Sequence, residues 1–139
     1  MPALQATCVA IDSRAILIQG APGSGKSSLA LALIDRGALL VGDDGVMIER
    51  SGNRLLARPH PNTRGLIEVR NLGLITMPAC AEATVALVIR LDEKAPRYRE
   101  AADEVLIEAV PLPLIGLNPA GSILALKAEI ALSRFGIAS

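Results

Sequence analysis

Short runs of apolar, often β-branched residues alternate with glycine-rich and polar segments along most of the chain. The three clearest runs cover residues 14–19, 39–41 and 85–91, and each is typical of a buried strand. Between the first two, leucines among helix-favouring alanines predict a helix over residues 28–36. Gly37 ends this helix, because glycine is free to take a positive φ at a helix C-terminus. The order strand, helix, strand indicates an α/β domain.

Weaker patterns occupy the middle of the chain. Residues 46–50 and 54–57 predict a hairpin around the turn sequence Ser51-Gly52-Asn53. Two prolines and a glycine in residues 59–65 favour an irregular polar loop. Residues 66–70 alternate between apolar and polar side chains and predict a short strand.

The last third of the chain contains further strand and helix signals. Residues 92–103 predict a charged loop or a short helix, and residues 105–107 predict a strand. Pro111 and Pro113 predict a break in regular structure. An amphipathic helix is expected over residues 122–135, with Ser122 as its N-cap. Its predicted core or interface positions are Leu124, Leu126, Ile130 and Leu132.

Length and charge narrow the possible classes of function. The 139 residues suffice for one domain with its own core, so we expect a single domain over residues 1–139. Basic and acidic residues number 14 each, which argues against a broad basic surface for duplex nucleic acid. Tyr98 and Phe135 are the only aromatic residues, too few for stacking single-stranded bases. We therefore expect no nucleic-acid partner.

Cysteine usage and hydropathy suggest where the protein functions. Cys8 and Cys80 are too few for a disulfide framework or a zinc site, and we expect both to be small buried apolar residues. The first residues lack the basic and apolar regions of a signal peptide. No apolar run reaches the about 18 residues that a membrane span needs. These features predict a soluble cytoplasmic protein without a membrane span.

Residues 20–27, Gly-Ala-Pro-Gly-Ser-Gly-Lys-Ser, match the complete phosphate-loop (P-loop, or Walker A) pattern. The glycines let backbone N–H groups turn inward and form an anion-binding nest. Lys26 places a positive charge at the β- and γ-phosphates, and Ser27 offers a hydroxyl to Mg²⁺. The positive end of the following helix points at the same place. The residues predicted to bind nucleotide are Gly20, Ala21, Pro22, Gly23, Ser24, Gly25, Lys26, Ser27 and Ser28.

Asp43 and Asp44 are predicted to return to the level of these phosphates. A helix of ten residues carries the chain about 15 Å away. The strand that follows brings it back by about 16 Å. A carboxylate there holds Mg²⁺ or accepts a proton from a nucleophile. The alternative is that Asp43, Asp44 and Gly45 form an ordinary solvated turn, because aspartate and glycine are common in turns.

At these residues the chain resembles the catalytic domain of the HPr kinase/phosphorylase family. Residues 20–27, 29–37 and 40–44 carry the resemblance, which is good from about Thr7 to Ile75 and weak beyond. A second match, over residues 66–75, resembles that family's isoleucine-glutamate-x-arginine-glycine-leucine-glycine signature. The combination of the phosphate loop, the Asp43-Asp44 pair and this second match is more specific than the phosphate loop alone.

The resemblance implies a P-loop kinase fold of the HPr kinase/PEP carboxykinase-like type, with a mixed sheet and flanking helices. It implies ATP and Mg²⁺ as cofactors and a homo-oligomer. The implied activity is signal transduction by phosphorylation of a serine of HPr, a small phosphocarrier protein of the sugar phosphotransferase system. By resemblance, Ser27 and Glu68 hold Mg²⁺ and Asp44 assists them. Asp43 is the proton acceptor, acting with Lys26, and Arg70 supports the signature segment.

The chain departs from the family pattern at several positions. Gln5 stands where the family has a catalytic histidine, Gly45 where an arginine often follows the acidic pair, and Asn71 at the signature glycine. The family's late Pro-Gly-Arg-Asn segment has no clear match, and residues 117–121 lie roughly there. We therefore expect weak or absent phosphorylase activity. The alternatives are a nucleotide-binding regulatory module that has lost phosphoryl transfer, and a small-molecule kinase or simple ATPase.

Three further residues leave two interpretations open. His60 either contacts a phosphate or the substrate serine, or is an ordinary loop histidine. Arg97 and Arg99 either neutralise charge on the moving phosphoryl group or belong to a solvated loop. The ordinary interpretation is favoured for all three.

Overall fold

The computed structural model describes residues 2–138 as a curled mixed sheet with two helices. The strands are β1 (Ala3–Leu4), β2 (Thr7–Ile11), β3 (Arg14–Gln19), β4 (Leu39–Gly42), β5 (Val46–Ser51), β6 (Arg54–Pro59), β7 (Leu66–Val69), β8 (Gly73–Thr76), β9 (Ala83–Leu91), β10 (Asp103–Ile107) and β11 (Val110–Leu117). The helices are α1 (Lys26–Asp35) and α2 (Leu124–Phe135). This architecture confirms the predicted α/β class with helices flanking a mixed sheet.

The centre of the main sheet is the parallel pair β3 and β9. On one side of the pair, β2 and β4 continue the sheet with antiparallel pairing. On the other side the neighbour of β9 changes along its length, because β6 pairs with its first residues and β11 with its last four. The sheet therefore divides at β9 into two branches, β6-β5-β1 and β11-β10.

Two apolar clusters lie on the two faces of the central strands. On one face α1 and α2 pack against alternating residues such as Ile16 and Ile18 of β3. On the other face the two branches curl over residues such as Leu17 and Val88. The central strands are buried on both faces, which explains why their sequences are continuous apolar runs rather than alternating ones.

The strongest sequence signals are confirmed. β3 has the predicted bounds, and α1 begins two residues earlier than predicted, at the end of the phosphate loop. Gly37 follows the C-cap residue with a φ of 109°, as expected of the residue that ends a helix. The hairpin β5-β6 turns at Gly52 and Asn53. The segment from residue 92 to β10 is a loop rather than a helix.

Four strands were missed by the sequence analysis, and one of them, β11, covers a predicted break in regular structure. β1 has two residues, too few for a pattern to register. β2 pairs with both β3 and β4 and completes that side of the sheet. β8 pairs with β7 in a separate two-stranded sheet, whose turn contains Asn71 at a φ of 75°.

The predicted break at Pro111 and Pro113 is wrong, because both prolines lie within β11. The two-residue turn that joins β10 to β11 makes Ile107 and Val110 a hydrogen-bonded pair. The nitrogens of Pro111 and Pro113 therefore point away from β10. On that side β9 pairs only from Leu114 onward, so neither proline removes a hydrogen bond from the sheet.

The prediction for the last helix is correct in extent and wrong in detail. α2 begins at Leu124 with Ile123 as its N-cap and has no side-chain cap, so Ser122 does not have the predicted role. Leu126 and Ile130 are exposed, whereas Leu132 is buried. The helix approaches the sheet through Ala128, Ala131 and Leu132, which leaves Leu126 and Ile130 outside the contact.

The structure also shows the environment of the two cysteines and the length of the two helices. Cys8 is buried as predicted, whereas Cys80 is only half-buried, and both thiols are free. Within residues 2–138, neither helix is long and apolar enough to cross a membrane.

Candidate functional site

The phosphate loop connects the end of β3 to the start of α1. Gly25 is the N-cap of α1 and has a φ of 104°, a conformation that favours glycine over residues with a Cβ. No side chain caps this end of the helix. The first N–H groups of α1 have no partners within the helix and are available to an anion.

Contacts within the loop hold its shape. The Lys26 ammonium donates a hydrogen bond to the Gly20 carbonyl at 2.8 Å. The Ser24 N–H donates to the Ala21 carbonyl at 3.0 Å. A Cβ on residue 20 would crowd the Ser24 hydroxyl oxygen, so the Ser24 side chain packs closely against Gly20. Gly20, Ala21 and Ser24 thus hold the shape of the loop. None of them lines the cavity that the loop borders.

Asp43 follows β4 and contacts the phosphate loop, as the length comparison of α1 and β4 predicted. Its Oδ1 accepts a hydrogen bond from the Ser27 hydroxyl at 2.6 Å. Its Oδ2 accepts one from the Glu68 N–H at 2.9 Å. The carboxylate therefore connects the start of α1 to the start of the β7-β8 hairpin. The alternative of a fully solvated turn does not describe Asp43, which is half-buried.

Thr7 is a member of this site that the sequence analysis did not identify. Its side chain is fully buried, and its hydroxyl donates to Asp43 Oδ1 at 3.2 Å. The same hydroxyl oxygen accepts a hydrogen bond from the Asp44 N–H at 3.3 Å. The only available signal was one polar residue at the start of an otherwise apolar strand, which is too common a pattern to indicate a site.

These elements enclose a polar cavity of about 540 Å³. The phosphate loop forms one wall, the acidic turn after β4 the next, and the β7-β8 hairpin the third. The lining residues are Gln5, Thr7, Pro22, Gly23, Gly25, Lys26, Ser27, Ser28, Asp43, Asp44, Glu68, Val69, Arg70, Asn71 and Gly73. All predicted catalytic and metal-binding residues are in this set. Val69, Asn71 and Gly73 join Thr7 as lining residues to which no role was assigned from the sequence.

The residues of the cavity suit a magnesium ion bound together with phosphates. The Ser27 hydroxyl donates a hydrogen bond to Asp43, which leaves the lone pairs of the Ser27 oxygen available to a cation. The carboxylates of Asp44 and Glu68 line the same cavity. Within residues 2–138, no three acidic, histidine or cysteine side chains form a ready-made metal cluster. Mg²⁺ does not need one, because it commonly binds one or two carboxylates, water and substrate phosphates.

His60, Arg97 and Arg99 are not among the residues that line the cavity. His60 accepts a hydrogen bond from the Asn62 N–H at its Nδ1, at 3.1 Å. Arg99 forms an ion pair with Asp103, and Arg97 is exposed. These contacts agree with the favoured interpretation of all three as ordinary loop residues.

Comparison with known proteins gives a consistent result. Residues 2–109 match the model of the HPr serine kinase C-terminal domain. The HPr kinase/phosphorylase of Mycoplasmopsis pulmonis is 44% identical over 69 residues, which are 50% of this chain and 22% of that protein. The HPr kinase/phosphorylase of Clostridium tetani is 36% identical over 109 residues, 71% of this chain and 36% of that protein.

A solved structure extends the similarity to nearly the whole chain. The Hpr(Ser) kinase/phosphatase from Coxiella burnetii superposes with a TM-score of 0.86 and 28% sequence identity. The superposition covers 96% of this chain and 89% of that one. These matches confirm the resemblance seen in the motifs and the P-loop kinase type of the fold. The matched segment is 22% of the length of the M. pulmonis protein and 36% of the C. tetani protein.

Proposed function

Since the chain belongs to the family of the HPr serine kinase C-terminal domain, we propose that it is an ATP-dependent protein-serine kinase. Its proposed substrate is an HPr-like phosphocarrier protein of the phosphotransferase system, which it phosphorylates in the cytoplasm as a homo-oligomer. The observation that carries this proposal is the contact of Asp43 with Ser27 at 2.6 Å. It brings a candidate proton acceptor next to the loop that binds the transferred phosphate.

The phosphate loop binds and orients the nucleotide. The N–H groups at the start of α1 and in the glycine-rich loop surround the phosphates. In the structure Lys26 donates to the Gly20 carbonyl, and its ammonium turns to the β- and γ-phosphates when they bind. Arg70 adds a second positive charge on the hairpin wall of the cavity. Together these groups offset the repulsion between the phosphates and the three carboxylates.

Ser27, Glu68 and Asp44 are the residues proposed to hold Mg²⁺. The ion supplies charge neutralisation on the β- and γ-phosphates when it is bound. Asp43 orients the Ser27 hydroxyl, because it accepts a hydrogen bond from that group and so turns the oxygen lone pairs toward the cavity. The hydrogen bond between Ser27 and Asp43 sets this orientation without any bound ligand.

Asp43 is the proposed proton acceptor. The substrate serine oxygen forms a bond to the γ-phosphorus while the bond from that phosphorus to the β–γ bridging oxygen breaks. The serine proton passes to the Asp43 carboxylate. Oδ2 of Asp43 accepts one hydrogen bond, from the Glu68 N–H, and keeps a second lone pair for this proton.

Gln5 and Asn71 line the cavity, which is the observation behind two finer proposals. Gln5 stands where the resemblance places a histidine, and an amide cannot carry a proton at neutral pH. Removal of phosphate from serine by inorganic phosphate is therefore proposed to be weak or absent. The second candidate function, a nucleotide-binding regulatory module without transfer, rests on the same two positions.

The experiment that tests the proposal combines the protein with labelled ATP, Mg²⁺ and an HPr-like protein. We expect serine phosphorylation by the wild type. Asp43→Asn should retain most nucleotide binding and lose about 10²–10⁴-fold in rate, as is typical when a general base is removed. Lys26→Ala should lose nucleotide binding itself, because the charge opposite the β- and γ-phosphates is gone.

Matched controls lie on the surface. Asp12→Asn changes the same side chain in the β2-β3 turn, and Lys127→Ala removes an exposed lysine from α2. Both should behave as the wild type.

If the wild type binds ATP and transfers no phosphate, the nucleotide-binding regulatory module becomes the favoured function. Undiminished ATP affinity in Lys26→Ala, measured by calorimetry, would contradict the phosphate-loop assignment. Formation of pyrophosphate from serine-phosphorylated HPr and added inorganic phosphate, at a rate comparable to the forward reaction, would contradict the expected loss of the reverse reaction.

A further inference from the structure

A second cavity, of about 480 Å³, lies beside the polar one, against the outer side of α1. Most of its lining is apolar, and Leu31, Ile34 and Met77 are half-buried there. Its lining residues are Ser28, Leu31, Ala32, Ile34, Asp35 and Met77. We call this cavity the α1 cleft. An apolar cavity of this size with few polar groups is typical of a site for a small organic ligand.

The α1 cleft adjoins the phosphate-binding cavity through Ser28, which lines both. Ser28, Leu31 and Asp35 are spaced by three and four positions, so they lie on one face of the helix. From Ser28 to Asp35 the helix rises about 10 Å. The cleft thus begins at the phosphate loop and extends along α1.

The polar cavity offers little surface for a nucleobase. Among its lining residues only Pro22 and Val69 have wholly apolar side chains. The two aromatic residues of the chain are elsewhere, since Tyr98 is exposed on the loop before β10 and Phe135 is at the end of α2. A base bound only in the polar cavity would have at most these two apolar side chains to cover its faces, whereas the α1 cleft offers Leu31, Ile34 and Met77.

We propose that the α1 cleft holds the nucleoside part of the bound nucleotide, its base and ribose. This inference rests on the proposed function, because it requires the phosphates to bind to the phosphate loop, next to Ser28. Leu31, Ile34 and Met77 cover the faces of the base. Asp35 is the one charged group of the cleft and accepts hydrogen bonds from the amino group of the base or from ribose hydroxyls.

The test compares ATP with inorganic tripolyphosphate, which has the phosphates and lacks the nucleoside. Ala32→Trp places an indole in the cleft at an exposed helical position. We expect the dissociation constant for ATP to rise at least tenfold in this variant, and that for tripolyphosphate to change less than twofold. The control is Ile130→Trp, an exposed helical position on α2, which should leave both constants unchanged.

The natural chain has no tryptophan, so each of these two variants also carries a single fluorescent reporter. Adding ATP at a saturating concentration should change the indole emission of the Ala32→Trp variant and leave that of the Ile130→Trp variant unchanged. Leu31→Ala provides a further variant, which removes cleft contacts without adding bulk. It should weaken ATP binding and not tripolyphosphate binding.

The outcomes separate the two proposals. Equal affinity of the wild type for ATP and tripolyphosphate, or ATP binding unaffected by both Ala32→Trp and Leu31→Ala, would overturn the inference and leave the phosphate site intact. Failure of the wild type to bind either compound would overturn the proposed function. Retained tripolyphosphate binding in the variants shows that each one is folded.

Discussion

The Asp43 carboxylate accepts hydrogen bonds from three parts of the chain. Thr7 lies 36 residues before it in sequence, Ser27 lies 16 residues before it, and Glu68 lies 25 residues after it. Each bond to a charged acceptor is stronger than a neutral one. The position of the carboxylate is therefore set by the tertiary structure before any nucleotide binds.

The buried hydroxyl of Thr7 is predicted to position Asp43 and Asp44. Thr7→Val keeps the shape of the side chain and removes its two hydrogen bonds, one of them to a carboxylate. A hydrogen bond to a charged group is worth about 1.5–3 kcal/mol. We expect the transfer rate to fall about tenfold or more, with less change in the dissociation constant for ATP. Kinetics that separate kcat from nucleotide affinity check this.

Thr7→Ser is the matched control, since it retains the hydroxyl and loses only a methyl group. It should keep most of the activity that Thr7→Val loses. Equal losses in both variants would mean that packing of the methyl group, rather than the hydroxyl, matters at this position.

At the scale of elements, the turn between β4 and β5 places both acidic residues. Asp44 has a φ of 57°, so the chain leaves the extended conformation directly after Asp43. A Cβ on Gly42 would overlap the carbonyl oxygen of Gly45, whereas a Cβ on Gly45 would meet nothing. The close approach of Gly42 to the Gly45 carbonyl closes the turn. It requires glycine at position 42 and not at position 45.

Gly42→Ala and Gly45→Ala form a matched pair of predictions. Gly42→Ala forces the turn open and moves Asp43 away from Ser27. We expect it to reduce phosphoryl transfer at least tenfold and to destabilise the protein by roughly 1–3 kcal/mol, the range for overpacking a tight site. Gly45→Ala should leave both properties near wild type. Urea unfolding and transfer assays measure the two effects, and similar behaviour of the two variants would contradict this account of the turn.

The β7-β8 hairpin carries the signature segment and forms one wall of the cavity. Asn71 stands where the resembled family has a glycine, and its φ of 75° lies in the left-handed region. Asparagine tolerates this conformation better than most residues. The substitution therefore preserves the turn and changes mainly the side chain that faces the cavity.

At the scale of the whole molecule, a central sheet separates two apolar clusters, and Cys8 lies in one of them. Burial, with a smaller contribution from Cys80, raises the pKa of the Cys8 thiol far above its ordinary value of 9.0. The folded protein holds this proton in alkaline solution, whereas the unfolded chain loses it near pH 9. Above that pH the unfolded state binds fewer protons, so stability falls as the pH rises.

This linkage predicts an alkaline loss of stability that depends on Cys8. One ionising thiol contributes up to about 1.4 kcal/mol per pH unit above its unfolded pKa. We expect the free energy of unfolding to fall more steeply above about pH 9 in the wild type than in Cys8→Ala. Urea unfolding at a series of pH values measures the slopes. Cys80→Ala should keep the wild-type slope, and an identical slope in Cys8→Ala would contradict the prediction.

Local patterns in the sequence were sufficient for the phosphate loop, α1, β3, β4 and the return of Asp43 to the loop. These features depend on residues close together in the chain, on steric rules for glycine, and on the known rise of helices and strands. The resemblance of residues 66–75 also identified Glu68 and Arg70, both of which line the cavity.

The other features of the site and the fold were decided by the tertiary structure alone, because they depend on which distant segments of the chain meet. Thr7 belongs to the site only because β2 pairs with β4, and Ser28 connects two cavities only because Met77 lies beside α1. Pro111 and Pro113 are compatible with a strand only because β9 begins to pair beyond them. The free energy of such contacts comes from burial and hydrogen bonds between residues far apart in sequence, and no local pattern of polar and apolar residues encodes that pairing.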